Sequence, residues 1–264
     1  MAIINSLVSN HTLITRLVKR EVIGRYRGSV MGIMWSFFNP VLMLTVYTFV
    51  FSVVFKARWV GGSESKTEFA LVLFAGLMVF NFFSECVNRA PGLVPGNVNY
   101  VKKVVFPLEI LVWIAVGSAA FHMTVSLAVW LVFYLVFVGI PPLSILLLPL
   151  ALFPLYLLTM GLCWLLSSLG VFLRDVTQII GVVTTILLFL SPIFYPILAL
   201  PEEYRFFMQM SPLTLTVEQA RDVMIWGKGI DWGPWLIYFN ISMLIAWIGF
   251  AWFQITRKGF ADVL

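Results

Sequence analysis

The chain has 264 residues, of which 61% are hydrophobic and only 11% charged, with a mean hydropathy of +0.99. Soluble domains are about 45–50% apolar and about 25% charged, so this composition excludes an ordinary soluble globule and makes lipid the natural solvent. The net charge of +5 is spread between apolar stretches and forms no basic run, which speaks for orientation in a membrane and against nucleic acid as a partner.

The first residues carry no basic stretch ahead of an apolar one and no small-residue cleavage site, so a retained N-terminus is expected. Within residues 3–27, Ile14, Leu17 and Val18 fall at i, i+3 and i+4 beside Arg16, Lys19 and Arg20. That spacing predicts an amphipathic helix lying in the inner interface, and it equally suits a plain basic anchor. Gly24, Gly28 and Gly32 then recur every four residues, which predicts a tight bend or a close helix contact where the basic segment turns into the first span.

A helix needs about 20 mostly apolar residues to cross a bilayer. Charge-free windows run from Gly28 to Phe55, Phe69 to Ser84, Ile110 to Leu173, Val176 to Pro201 and Trp232 to Thr256. The third is too long for one span, and Gly139-Ile140-Pro141-Pro142 divides it. The expected fold is therefore an all-α integral membrane protein with six transmembrane helices, at about 31–55, 69–88, 108–138, 144–171, 177–197 and 233–255. The windows are continuous, unlike the ten-residue alternating strands of a membrane barrel. The organisation expected is an N-terminal interfacial helix over 1–30, one membrane domain over 31–256 and a short tail over 257–264.

With the N-terminus inside, eleven of the seventeen Lys and Arg residues fall on inside segments and seven of the twelve acids fall outside. This bias places both termini in the cytoplasm. The loop over 89–109 is long for a bundle, and holds three prolines, two glycines and Lys102-Lys103. Such an inside loop suits a partner, although composition alone also fits a solvated loop. The outside segment 191–231 is rich in Phe, Met, Ile and Leu. Pro201 followed by Glu202 and Glu203 predicts one short helix, and Thr216 with Gln219 as a capping box predicts a second ending near Gly227. Two such apolar helices are expected to dip back into the outer leaflet as re-entrant structure, where protein must satisfy their backbone.

Catalytic patterns are missing from the sequence. There is no GxxxxGK[ST], GxSxG or HExxH, and Cys86 and Cys163 form no CxxC. His11 and His122 stand alone, and His122 reads as a polar helix-packing residue rather than a metal ligand. Glu85, Arg89, Glu109, Arg174 and Asp175 all lie near the expected cytoplasmic ends, so no acid sits at mid-depth to couple transport to protons or sodium. Energy for uphill transport would have to come from another subunit. In the first span Tyr47, Phe51 and Phe55 share a helix face, with Trp35, Phe37 and Phe38 lower down. By pattern alone these are ordinary lipid-facing or packing aromatics.

Three stretches carry a resemblance. REVIGRYRGSVMGIMWSFFNPVLMLTVYTFVFSVVF (Arg20 to Phe55) resembles the beginning of the first span in type-2 ABC exporter permeases of the polysaccharide and polyol-phosphate group, through its Arg-Tyr-x-x-Ser, Trp35 and Pro40. VKKVVFPLEIL (Val101 to Leu111) resembles that family's cytoplasmic loop, and Ser191 to Lys228 its outer segment, with Ser211-Pro212 where Asn-Pro is usual. The resemblance implies a homodimer of permeases working with two copies of a separate ATPase subunit, so that ATP and Mg bind the partner and this chain holds no cofactor and no metal. It implies that Arg25, Arg27, Tyr100, Lys102 and Lys103 contact the ATPase. It turns Trp35, Phe37, Phe38, Tyr47, Phe51 and Phe55 into path-lining residues. Pro192, Tyr195, Pro196, Pro201, Pro212 and Arg221 become a periplasmic gate. The implied cargo is a lipid-linked polysaccharide of the O-antigen type, with capsule, teichoic acid or a small amphiphile as alternatives, and the implied home is the bacterial inner membrane. A stand-alone membrane transferase or scramblase is the remaining reading from a different class.

Overall fold

A computed structural model describes residues 2–50, 66–102, 106–209 and 211–264, and every regular element among them is helical. The first helix, α1, runs over Ala2–Arg25. Its apolar spacing does what the pattern predicts: Ile14 and Leu17 are buried and Val18 is half-buried against the core, while Arg16, Lys19 and Arg20 face outward; Val22, outside that pattern, is buried as well. The chain then turns through Gly28 at φ +86° and Gly32 at φ +52°. This is the left-handed region that only glycine adopts cheaply. So Gly28 and Gly32 make the expected bend, Gly24 stays within α1, and none makes the alternative close contact, since a Cβ on any of the three would meet nothing within 4 Å.

Helix α2 spans Trp35–Tyr47 within an apolar run from Gly32 to Val50. Only Leu44 on it is buried. Helix α3, Lys66–Arg89, is its opposite: 83% of its span is enclosed by protein. A helix apolar on all sides belongs at the centre of a bundle, and α3 packs against α2, α5 (Ile110–Phe137), α6 (Leu148–Phe172), α7 (Val176–Leu190) and α9 (Pro212–Met224). Between α3 and α5 the chain makes two single turns and a short helix α4, Val98–Lys102. Gly139 at φ +125° with Pro141 and Pro142 separates α5 from α6, as the sequence predicts.

Contacts along the helices define two ends. Leu71 meets Trp130 and Glu85 meets His122, so α3 and α5 are antiparallel, whereas Val18 meets Gly117 and Arg25 meets His122, so α1 runs parallel to α5. One end therefore gathers α1, the 89–102 segment, and the C-termini of α6 and α10 (Trp232–Thr256); it is called the α1 end. The far end holds the 139–147 turn, the residues after α7, α8 (Glu202–Gln209) and α9. The last helix, α11 (Phe260–Val263), returns against α4 and α6.

The most extensive helix contact joins α6 and α10. It is set by two glycines: a Cβ on Gly161 would lie 2.6 Å from the Ile245 carbonyl oxygen, and one on Gly249 would lie 2.1 Å from that of Gly161. Without a hydrophobic force between helices in lipid, such close backbone approach supplies the packing. A 2.7 Å bond between the hydroxyls of Ser168 and Thr256, and Trp164 edge-on to Phe250 at 5.0 Å, extend the seam.

Among the described residues, five helical runs are long and apolar enough to cross a membrane: 32–50, 67–92, 110–137, 143–172 and 232–263. Two expected boundaries need correction. The fifth expected span, 177–197, is the helix Val176–Leu190 of 15 residues, about 22 Å long where a bilayer core is about 30 Å. Ser191 takes extended backbone (ψ 146°) because Pro192 follows it, and a residue before proline is driven out of the helical region. The second outer helix begins at Pro212, not at Thr216, since Ser211 is extended and Pro212 supplies the fixed φ of a first helical residue. Thr216 lies within it, bonding back to the Pro212 carbonyl, and Gln219 reaches the Asp231 carbonyl instead of closing a capping box. The first outer helix starts after Pro201 with Glu202 and Glu203 in its first turn, as predicted.

Candidate functional site at the two ends of the bundle

At the α1 end, two acid–base pairs meet. Glu21 and Arg25 stand four apart on α1, and Glu85 and Arg89 four apart on α3. Because α1 and α3 are antiparallel, each acid faces the other helix's base. Arg25 Nη1 donates to Glu85 Oε1 at 2.6 Å, Arg89 Nη2 donates to Glu21, and Arg89 Nη1 lies 3.6 Å from Glu85. From α5, His122 brings Nδ1 to 3.1 Å from both Glu85 oxygens, while its Nε2 lies 3.3 Å from the Tyr26 hydroxyl. Arg25 Nη1 also stands 2.9 Å from that Nδ1, so the ring nitrogen lies between the guanidinium donor and the carboxylate acceptor. Burial raises the Tyr26 phenol above its ordinary value, keeping it a donor at neutral pH. Two acids balance two bases, so the cluster is an uncharged lock joining α1, α3 and α5. Sequence reasoning took these residues singly; the matching i, i+4 Glu/Arg pairs at 21/25 and 85/89 were the available signal.

Next to the lock, Leu17, Arg20, Glu21, Leu93, Asn97, Tyr100, Leu111 and Ile114 line a cleft of about 230 Å³. Arg20 Nη2 donates to the Tyr100 hydroxyl at 2.8 Å, and the Tyr100 ring stacks on Phe106 at 4.3 Å. The segment carrying Tyr100 is seated on α6, where a Cβ on Gly170 would stand 2.1 Å from the Pro91 carbonyl oxygen. Lys102 and Arg27 are exposed at this end; Lys103 lies outside the described residues. A second tie, Arg257 Nη1 to Glu109 Oε2 at 3.1 Å, fixes the end of α10 to the start of α5.

Of the aromatic residues expected to share a path, Trp35 and Phe37 are exposed and Phe38 stands edge-on to Phe37 at 6.1 Å. Tyr47 is half-buried and packs on the core. Phe51 and Phe55 lie outside the described residues.

At the far end, the proline-rich segment has its carbonyls bonded from within. Tyr195 donates to the Phe189 carbonyl, and Arg205 donates to those of Leu198 and Leu200. Pro196 starts a single turn over Ile197–Ala199, Pro201 precedes α8, and Pro212 opens α9. Helix α8 buries no residue and exposes Tyr204, Phe206 and Phe207, whereas α9 is sunk into the bundle. Arg221, which the sequence counts as an outside charge, is 1% exposed on α9. Its Nη1 donates to the Pro192 carbonyl at 2.6 Å and to Glu218 at 2.8 Å, its Nη2 to the Ile193 carbonyl at 2.9 Å, and its Nε to the Val72 carbonyl of α3 at 3.1 Å. Burial pushes the guanidinium down to about 10, against the pull of Glu218, so it remains charged at neutral pH.

Among the described residues no group of three His, Cys, Asp or Glu side chains is placed to hold a metal ion, and both cysteines are free and buried. The fold is that of a membrane domain with apolar helices through its middle and ionised groups gathered at its ends. Residues 12–225 match the family described as ABC-2 type transporter, and the chain belongs to that family of membrane subunits. It is 24% identical over 262 residues to the O-antigen export system permease protein RfbA of Myxococcus xanthus, covering 98% of each chain. It is 23% identical to the protein of the same name from Klebsiella pneumoniae, over 96% of this chain and 95% of the relative. It is also 23% identical to the polysialic acid transport protein KpsM of Escherichia coli, over 92% of each.

Proposed function

We propose that this chain is the membrane-spanning subunit of an ATP-driven exporter that moves a lipid-linked polysaccharide of the O-antigen type out of the cytoplasm. The observation that carries this reading is the match to O-antigen export permeases over 98% of the chain, within a family of ABC-2 transporters. A capsular cargo is the second reading, favoured by the similarity to the polysialic acid transport protein. In this reading the α1 end faces the cytoplasm of a bacterial inner membrane, and α7 completes a sixth crossing with the help of the turn that follows it. Helix α9 is then a re-entrant helix on the periplasmic side.

The nearly bare surface of α2 supports pairing of two permeases, because a polymer-wide path is hard to enclose with one chain. Trp35, Phe37, Phe38, Tyr47, Phe51 and Phe55 line that path, where aromatic faces stack on the apolar C–H faces of sugar rings. ATP and Mg belong to two copies of a separate ATPase subunit. It seats on the 89–102 segment and the cleft beside it, with Arg25, Arg27, Tyr100, Lys102 and Lys103 as contacts. Pro192, Tyr195, Pro196, Pro201, Pro212 and Arg221 frame the exit.

The test is to deplete the chain in its native cell and follow the surface glycan, while purifying the tagged chain from gently solubilised membranes. Loss of surface polysaccharide, its retention inside on a lipid carrier, and an equimolar ATPase are expected. A chain that purifies alone and moves or modifies a lipid without ATP would replace the reading with a stand-alone transferase or scramblase.

A further inference from the structure

A fully buried guanidinium in a membrane domain is costly, and proteins keep one only where its donors are used. Arg221 spends its donors on three carbonyls from two separate pieces of backbone. Pro192 and Ile193 follow α7, whose last carbonyls have no partners within the helix and whose negative dipole end favours a cation. Val72 belongs to α3, and its carbonyl has a second lone pair beyond the one used in the helix. Room for the guanidinium on α3 comes from Gly76, one turn from Val72. A Cβ there would stand 2.8 Å from Arg221 Nη2 and 3.2 Å from Val217. Only a planar fork of donors can reach the segment after α7, α3 and Glu218 together.

The other end of α3 carries Glu85 and Arg89, locked to α1. From Val72 to Glu85 is about 20 Å of helix, enclosed by protein on nearly every side. We propose that Arg221 is a positioning residue for the exit: it seats the 191–193 turn and α9 on α3, so that a shift of α3 driven at its α1 end is delivered to the far end. This rests on the export reading above.

The experiment uses the complex of this chain with its ATPase in proteoliposomes. Arg221→Lys keeps the charge and loses the fork, and Gly76→Ala keeps the arginine and removes its seat. For both, ATP hydrolysis within twofold of wild type is expected, with polysaccharide exported per ATP falling at least tenfold. A cargo-independent readout is the distance between nitroxides at Asn81 on α3 and Leu198 beyond the turn, both exposed. The wild-type distribution should be narrow with and without ATP, and at least twice as wide in Arg221→Lys. Unchanged export per ATP, or an unchanged width, overturns the proposal, as does failure of both variants to accumulate in the membrane, which would make Arg221 a folding residue. Widening in a complex whose wild type exports no polysaccharide leaves the proposal standing and removes the cargo assignment.

Discussion

Replacing Glu85 by Gln keeps the shape of the side chain and takes the negative charge out of the lock at the α1 end. Arg25 and Arg89 are then left with Glu21 alone, and the cluster changes from neutral to +1. Two unit charges 4 Å apart are worth about 4 kcal/mol at an effective dielectric of 20. The Glu85 side chain is 19% exposed but that of Arg25 is 45% exposed, so solvent screening cuts the Arg25 pair to about 1 kcal/mol. The Arg89 contact is longer and shared with Glu21. With the His122 bond added, a loss of about 2 kcal/mol is expected, or roughly a 30-fold shift in the opening of α1. Trypsin reads that opening directly, because Arg16, Lys19 and Arg20 lie on α1, and cleavage follows the open population when closing is fast. A double-mutant cycle of Glu85→Gln with Arg25→Gln, measured by unfolding in mixed micelles, should give a coupling near 1 kcal/mol. A coupling under about 0.3 kcal/mol together with unchanged proteolysis would refute the idea that this cluster holds α1 down.

The remaining predictions concern glycines, whose neighbours decide the sign. Gly28→Ala should cost about 1–2 kcal/mol, since φ is +86° there, whereas Gly24→Ala, on an open helical position, should gain about 0.5–1 kcal/mol; thermal unfolding of the two variants in one detergent compares them. Gly249→Ala forces a Cβ to within 2.1 Å of the Gly161 carbonyl oxygen and should cost at least the 1–3 kcal/mol of an overpacked core, seen as a lower Tm and less protein in the membrane. Gly170→Ala pushes against the Pro91 carbonyl; the bundle should survive, but less ATPase should co-purify, and undiminished recovery would argue that the 89–102 segment is not its seat.

The helical membrane fold was open to reading because lipid demands long apolar runs, and the runs themselves sit between charges. The break at Gly139 to Pro142 and the start of α8 after Pro201 were equally local, written in residues that restrict their own backbone. The early end of α7 had a local cause too, the proline after Ser191, but hydropathy continues past it, and length was judged by hydropathy. Arg221 could not be recognised in this way. A charge in an apolar surface segment reads as exposed until the carbonyls after α7 and the gap at Gly76 are brought around it by tertiary packing. The Glu85 cluster was half-visible, since the pairs at 21/25 and 85/89 repeat one spacing, yet only the antiparallel contact of α1 with α3 turns two local pairs into one lock.

The seam between α6 and α10 has a consequence for how the protein is made. Residues 148–172 leave the ribosome some eighty residues before the helix that covers their glycine face. Until then Gly161 shows the surrounding lipid a bare strip of backbone, and the core around α3 lacks its outer brace. The nascent chain is therefore committed to the membrane well before it is committed to its fold, and a stop in translation between the end of α6 and residue 232 leaves an unfinished bundle.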